Sequence, residues 1–262
     1  MPDEVQLQAS PRSGRPGLAG GFMAPLRGAR FLLRHPRLIS LAVLPILINT
    51  VLLAAIFYLS LGSFLRWLAE MLPKSQAWYW VILSYVLPVL MVLFLLAVIV
   101  LVFTPLANII ASPFNDALSA RTEVIVTGRP EAPFSFLAVL KEAGRTAVEE
   151  LKKIVFYLAA LAVILVLNFI PVVGQVLYTV LGFLLTVMWL GLNYLDYPLA
   201  RHGYRFGGKL GFLKKNSRAA FGYGLGVLLG FLVPIFNLAF ISLAVVGGTL
   251  LYLELTPERT AA

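Results

Sequence analysis

The chain has no cysteine and only two histidines, His35 and His202. The lack of cysteine excludes a thiolate metal site, a disulfide framework and a cysteine nucleophile. The sequence also has no glycine-rich phosphate loop, no paired carboxylates at helical spacing within an apolar region, and no metal-binding motif. We therefore expect no catalytic residues, no enzyme activity, no cofactor and no metal site.

Charge is scarce, at 13% of residues against 60% hydrophobic residues, and the mean hydropathy is +0.90. A soluble domain carries about 25% charged residues, so this composition predicts an integral membrane protein. Four regions contain no Asp, Glu, Lys, Arg or His: 38–61, 77–103, 154–195 and 222–253. Because about 20 apolar residues cross the hydrocarbon core, the first two regions predict one spanning helix each. The other two are long enough to turn back.

The net charge of +9 is unevenly distributed. Lys and Arg are frequent before residue 38, in 104–153 and in 196–218, whereas 62–76 has only two. The positive-inside rule places this poor segment outside and both termini in the cytoplasm. Each apolar hairpin then enters and leaves on the same side. The positive charge is therefore accounted for by membrane topology, and we expect no nucleic-acid partner.

The arms of the two hairpins are short. The turn of the first, 168–175, is almost wholly apolar yet contains Pro171 and Gly174. The arm before it, 154–170, measures about 25 Å at 1.5 Å per residue, and the arm 222–233 measures about 18 Å. The first of these arms is marginal for crossing, and the descending arm 175–195 could cross if upright. The second hairpin, which turns at Pro234, penetrates only part of the bilayer unless the preceding helix continues through Phe221.

The segment 22–37 is basic and amphipathic, with arginines at positions 27, 30, 34 and 37 among apolar residues. It fits an interfacial helix whose arginines contact lipid phosphates, or a mouth that recruits anions. Pro36 then starts a new helix, whose first N–H groups favour an anion.

Amide side chains mark a second candidate region. Asn108 and Asn115 lie among small and apolar residues of 104–116, where they either hold helices together or line a polar path. Gln175, Gly174 and Asn237 adjoin the two predicted turns, and there they either cap a turn or line the path with backbone donors. Three glycines at every fourth position predict a close-packing seam: Gly222, Gly226 and Gly230.

Arg121 and Glu123 follow the second candidate region in sequence. They suggest a local ion pair.

The predicted fold is all-α. It comprises two long transmembrane helices, two hemi-penetrating helical hairpins and amphipathic cytoplasmic helices. The predicted organisation is a disordered arm over 1–20, a single membrane domain over 21–253 and a tail over 254–262. The parts of the domain are spans at about 38–61 and 77–103, a cytoplasmic helical region 104–153, a hairpin 154–195, a basic connector 196–221 and a hairpin 222–253.

Four motifs occur in the following order along the chain: 108–115 (NIIASPFN), 169–175 (FIPVVGQ), 196–198 (DYP), and the glycine-rich 222–237 ending in PIFN. In these motifs, and over roughly 20–253, the sequence resembles the CysZ family of bacterial inner-membrane sulfate permeases. The resemblance implies a permease or channel that imports sulfate across the inner membrane for cysteine biosynthesis. It also implies a homo-oligomer, with sulfate and the lipid bilayer as partners. The alternative function is a non-transporting membrane scaffold or lipid-interacting protein.

The resemblance further implies an anion site near the start of the first membrane helix, where the family has a Pro-Gly-Leu/Ile-Arg-Arg pattern. Here the stretch 36–40 reads PRLIS, so the glycine and both arginines are replaced. We expect sulfate to bind at Arg34, Arg37, Leu38 and Ser40, with Arg37 reaching it from a shifted position.

Overall fold

The computed structural model describes residues 16–71, 78–129, 136–233 and 237–257. Within these ranges the regular structure is helical, without a strand, which confirms the all-α class. In chain order the elements are α1 (Leu18–Phe22), α2 (Ala24–Arg34), a 3₁₀ helix (Pro36–Leu38), α3 (Ile39–Met71), α4 (Trp78–Thr127), α5 (Phe136–Leu167), α6 (Val173–Arg201), α7 (Phe206–Lys215), α8 (Ser217–Phe231) and α9 (Asn237–Leu255).

Three described segments are long and apolar enough to cross a membrane: Pro36–Trp67, Tyr85–Thr127 and Val173–Arg201. The first two contain most of the predicted spans, and the third is the second arm of the first predicted hairpin. Ala239–Leu255 is apolar but shorter. These lengths fit a membrane protein, while the number of crossings and the partial penetration of the hairpins stay predictions.

The helices run further than the sequence indicated. Helix α3 continues beyond residue 61, the predicted end of the first span, through Gly62 to Met71. Helix α4 passes through Pro105 and has 50 residues, or about 75 Å, against about 30 Å of hydrocarbon. Because neighbouring groups compensate isolated Pro and Gly in membrane helices, neither residue ends the helix.

The hairpin arms are also longer than predicted. Residues 136–153 of the predicted cytoplasmic region and residues 154–167 of the predicted arm form one helix, α5. Helix α6 continues past Asp196 and Pro198 to Arg201, and α8 starts at Ser217, before the glycine-rich stretch. The basic connector 196–221 therefore contains the end of α6, all of α7 and the start of α8. At the N-terminus, α1 begins at Leu18, inside the arm predicted to be disordered, and 1–15 lie outside the described residues.

The chain divides into two compact units, Ser40–Asn115 and the remainder, and a single membrane domain stays a prediction. Within the first unit, the Asn49 side chain donates to the carbonyl of Ala107 at 3.2 Å, which joins α3 to α4. In the second unit, α6, α8 and α9 pack together, and α1 and α2 lie against α8 and α9. The buried Tyr223 hydroxyl donates to the Ala244 carbonyl at 2.5 Å and joins α8 to α9.

The predicted glycine seam is confirmed, and its partners are α1 and α9. A Cβ atom at Gly222 would overlap the carbonyl of Leu18, and one at Gly226 would lie 2.5 Å from the carbonyl of Phe22. A Cβ atom at Gly230 would enter the ring of Phe240. The missing side chains therefore allow α1 to lie directly on α8.

Candidate functional site

The predicted anion site lies where α2 ends and the chain enters the first long helix. The His35 ring contacts the Phe31 carbonyl, with Nδ1 at 2.9 Å, and Leu38 N–H donates to the His35 carbonyl at 2.9 Å. This short turn exposes Arg34 and Arg37, whereas the Leu38 side chain is buried. Two exposed arginines therefore flank the break, whereas Leu38 has a buried side chain and an N–H that already donates to His35. Sulfate binding at these residues stays a prediction.

Ser40 is exposed in the first turn of α3. It belongs to the other compact unit, as do the two asparagines of the proposed path. Asn108 is exposed and Asn115 is buried, and they lie seven residues apart on α4. Asn237 begins α9, and its side chain lies outside the described residues. Their role as path residues stays a prediction.

The tip of the first hairpin is a tight, strained turn. Val172 has φ 63° and ψ −66°, and Val173 N–H donates to the Pro171 carbonyl at 2.7 Å. These values define a classic γ-turn, which is rare and costly for a β-branched residue. Val172 is the one non-glycine residue with positive φ in the described ranges.

Backbone donors at this tip are largely used within the turn. Gly174 N–H donates to the Ile170 carbonyl at 3.1 Å, and Val176 N–H contacts the Val172 carbonyl at 3.4 Å. A Cβ atom at Gly174 would overlap the Leu167 carbonyl, so glycine is needed for the turn to close. The Gln175 side chain is exposed. The geometry thus gives Gly174 a turn-closing role, while an anion-path role for Gln175 stays a prediction.

Replacing Val172 by glycine is expected to stabilise the protein by about 1 kcal/mol. Glycine adopts positive φ without a Cβ clash, which removes about 1–3 kcal/mol of strain, against about 0.5–1 kcal/mol of added chain entropy. The measurement is the unfolding midpoint of the detergent-solubilised protein. The matched control is Val173→Gly at the helical neighbour, which should destabilise. Equal destabilisation by both changes would refute the strained turn.

A buried group of charges, which we call the lysine–aspartate triad, joins α5, α6 and α7. Lys153 Nζ lies 2.9 Å from Asp196 Oδ2, and Lys209 Nζ contacts Asp196 Oδ1. All three residues are buried. Lys153 also pairs with Glu150 at 2.7 Å. Burial lowers the pKa of Lys153, but the two carboxylates outweigh burial and leave that pKa above its usual value.

Glu149, whose side chain is partly buried, extends these contacts. Its carboxylate pairs with Lys152 at 2.8 Å and accepts a hydrogen bond from the Phe206 N–H at 2.6 Å. The Lys152 hydrogen bond, with the Phe206 donor second, lowers the pKa of Glu149. The start of α7 is therefore tied to α5 by a charged carboxylate as well as by the triad.

A second group, the Arg201 cluster, joins the end of α6 to α4. Arg201 lies 2.6 Å from Asp116 Oδ1 and 3.3 Å from Glu123 Oε2. His202 Nε2 lies 2.6 Å from Glu123 Oε1. The Glu123 carboxylate thus pairs with residues almost 80 positions along the chain, and the predicted pair with Arg121 stays a prediction.

The Arg201 cluster continues into α9 through neutral groups. The Ser119 hydroxyl lies 3.3 Å from Arg201 and 2.8 Å from the Thr249 hydroxyl. The His202 ring lies 5.0 Å from that of Tyr252. Sequence reasoning missed both charge groups because their members come from separate helices. The one local signal was that these charges flank the ends of apolar regions.

The two charge groups join separate helices of the described chain. Within the described residues, no three His, Asp or Glu side chains come close enough to hold a metal ion. Helix α2 packs mainly on α9, whereas Gly174 packs within its own hairpin. Arg34, at the end of α2, and Gly174, in the hairpin turn, therefore pack against different elements. The candidate ligands for an anion are the exposed Arg34 and Arg37 beside the helix break.

Comparison with known proteins connects this arrangement to one family. The family described as sulfate transporter CysZ/etoposide-induced protein 2.4 matches residues 24–242. A sulfate transporter CysZ of Pseudomonas aeruginosa is 32% identical over 229 residues, covering 87% of this chain and 92% of the relative. A namesake from Vibrio parahaemolyticus is 34% identical over 235 residues, covering 88% and 93%. One from Pectobacterium atrosepticum is 33% identical over 234 residues, covering 87% and 84%.

Proposed function

The chain belongs to the sulfate transporter CysZ/etoposide-induced protein 2.4 family, and we propose that it carries sulfate across the bacterial inner membrane. The observation that carries this proposal is the match over nearly the whole chain to relatives named sulfate transporters. The long apolar helices fit the membrane location that this proposal requires. We further propose that the imported sulfate feeds cysteine biosynthesis, that no catalytic step is involved and that the protein works as a homo-oligomer.

In the mechanism we propose, one group of residues attracts sulfate and a different group lines its path across the membrane. Arg34 and Arg37 lie exposed at the break before the first long helix, and they concentrate the dianion there. Complete dehydration of sulfate would be prohibitive, so the path is wet or lined by neutral donors. Asn108, Asn115, Gln175 and Ser40 are the neutral donors that the sequence predicts for passage.

The charge distribution sets the proposed orientation. Basic residues flank both ends of each predicted hairpin, whereas the segment between α3 and α4 is poor in them. The positive-inside rule then places the arginines before α3, together with both termini, on the cytoplasmic side. On this arrangement, Arg34 and Arg37 would act on sulfate at the inner mouth.

Radiolabelled sulfate uptake into proteoliposomes tests the proposal. We expect uptake well above that of empty vesicles and about a tenfold lower initial rate for Arg37→Gln, since a hydrogen bond to a charged group contributes about 1.5–3 kcal/mol. The matched control is Arg205→Gln, which removes an exposed arginine just before α7. It should keep the wild-type rate.

One outcome would reject sulfate transport itself, and another would reject only the proposed anion site. Uptake equal to that of empty vesicles would reject transport and favour the membrane scaffold, for which the exposed basic and apolar face of α2 is the supporting observation. Normal uptake by Arg37→Gln would keep transport but reject the proposed anion site. Chloride and phosphate uptake in the same assay would measure selectivity.

A further inference from the structure

Helix α2 has two different faces. Ala24, Gly28 and Leu32 are buried, and Gly28 fits so closely on α9 that its Cβ atom would overlap the Leu243 carbonyl. At 100° per residue the opposite face carries Leu26, Leu33, Arg30 and Arg34. Because the buried face is packed on α9, the helix cannot rotate, and the same residues always point outward.

The outward face has an apolar edge and a cationic edge, which run side by side along the helix. Leu26 and Leu33 lie along one edge and are 52% and 77% exposed. Arg30 and Arg34 lie along the other edge, beside Arg27. A cationic edge next to an apolar edge is typical of helices that lie in the membrane interface, with the apolar edge among acyl chains and the arginines at the phosphates.

A hollow of about 290 Å³ lies beside the cationic edge. Its lining residues are Ala19, Gly20, Met23, Leu26, Arg27 and Arg30. The wall of the hollow is thus apolar except for two guanidinium groups. Its volume lies at the lower end of the range for small-molecule sites.

The two arginines of the hollow differ in how they are held. Arg27 is fixed, because it donates to the Gly20 carbonyl at 2.8 Å and pairs with Glu254 at 3.1 Å. Its Nε atom is nevertheless buried without a hydrogen-bond partner among the described residues. Arg30 is exposed and has no hydrogen bond or ion pair in the described part of the chain. The segment 16–38 contains no acidic residue, so α1 and α2 supply no carboxylate of their own.

We propose that this hollow binds the phosphodiester group of an anionic phospholipid. Arg30 supplies the free guanidinium, Arg27 is fixed in the wall with its charge balanced by Glu254 of α9, and the acyl chains cover Met23, Leu26 and Leu33. A small water-soluble anion would leave these apolar side chains in water, whereas a lipid covers both edges at once. The site is separate from Arg37, and it does not depend on sulfate being carried.

Spin-labelled lipids in vesicles of phosphatidylcholine and phosphatidylglycerol test this site on the full-length protein. We expect spin-labelled phosphatidylglycerol to be immobilised in preference to spin-labelled phosphatidylcholine. A basic residue near an anionic surface contributes about 1 kcal/mol, so Arg30→Gln should lower this preference about fivefold. The charge-matched control, Arg205→Gln, should change it less than twofold.

Further arms distinguish a lipid from a free anion and from misfolding. Leu33→Gln at the exposed apolar edge should weaken immobilisation of both lipids, and excess inorganic phosphate should not displace labelled phosphatidylglycerol. The thermal midpoints of the three variants should match the wild type, since these side chains are exposed. The proposal fails if Arg30→Gln keeps the wild-type preference, if Leu33→Gln has no effect, or if inorganic phosphate displaces the lipid. Sulfate uptake in the same vesicles is a separate readout, so loss of transport alone would leave the lipid site standing.

Discussion

Replacing Asp196 by asparagine is expected to lower the free energy of unfolding by about 3–5 kcal/mol. The side chains of Lys153, Asp196 and Lys209 are only 6–10% exposed. Without the carboxylate, Lys209 keeps a buried positive charge with no opposite charge in the triad, whereas Lys153 still has Glu150. Chemical or thermal unfolding in detergent measures the loss.

Two further variants show whether burial causes this effect. Asp116→Asn removes the same charge from a carboxylate that is 61% exposed and pairs with Arg201, and it should cost about 0.2–1 kcal/mol. Asp196→Asn combined with Lys209→Met removes both buried charges, so it should recover part of the stability. Equal losses for Asp116→Asn and Asp196→Asn would contradict the buried triad.

Gly224→Ala is expected to destabilise the protein by about 1–3 kcal/mol, because α6 and α8 touch through their backbones at this point. A Cβ atom at Gly224 would overlap the Val187 carbonyl and lie 3.1 Å from the Gly191 nitrogen. Both contacts are with backbone atoms of α6, so the helices themselves must separate to accept the methyl group. The measurement is again the unfolding midpoint.

The matched control for this prediction lies on α6 itself. A Cβ atom at Gly182 would have nothing within 4 Å. Gly182→Ala should therefore stabilise the protein by about 0.5–1 kcal/mol, since glycine is unfavourable in a helix interior. If both alanine variants unfolded at the wild-type midpoint, the close crossing of α6 and α8 would be wrong.

The sequence predicted helix positions better than helix ends. Apolar regions without charge located the long helices, and Pro171 with Gly174 located the hairpin turn, because hydrophobicity and turn chemistry are local properties. The predicted ends at 61 and 195 came too early, since packing and membrane surroundings let α3 continue through Gly62 and α6 through Pro198.

By itself, the sequence determined the all-helical class, the glycine seam and the family. Each of these follows from residue type and spacing along the chain, and the ordered motifs identify the family without any coordinates. The tertiary structure decided which charges meet. Asp196 joins Lys153 and Lys209, and Glu123 joins Arg201 and His202. Lys153 and Asp196 are 43 positions apart and Glu123 and His202 are 79 apart, so these partners come together only when separate helices pack, and no local pattern contains that information.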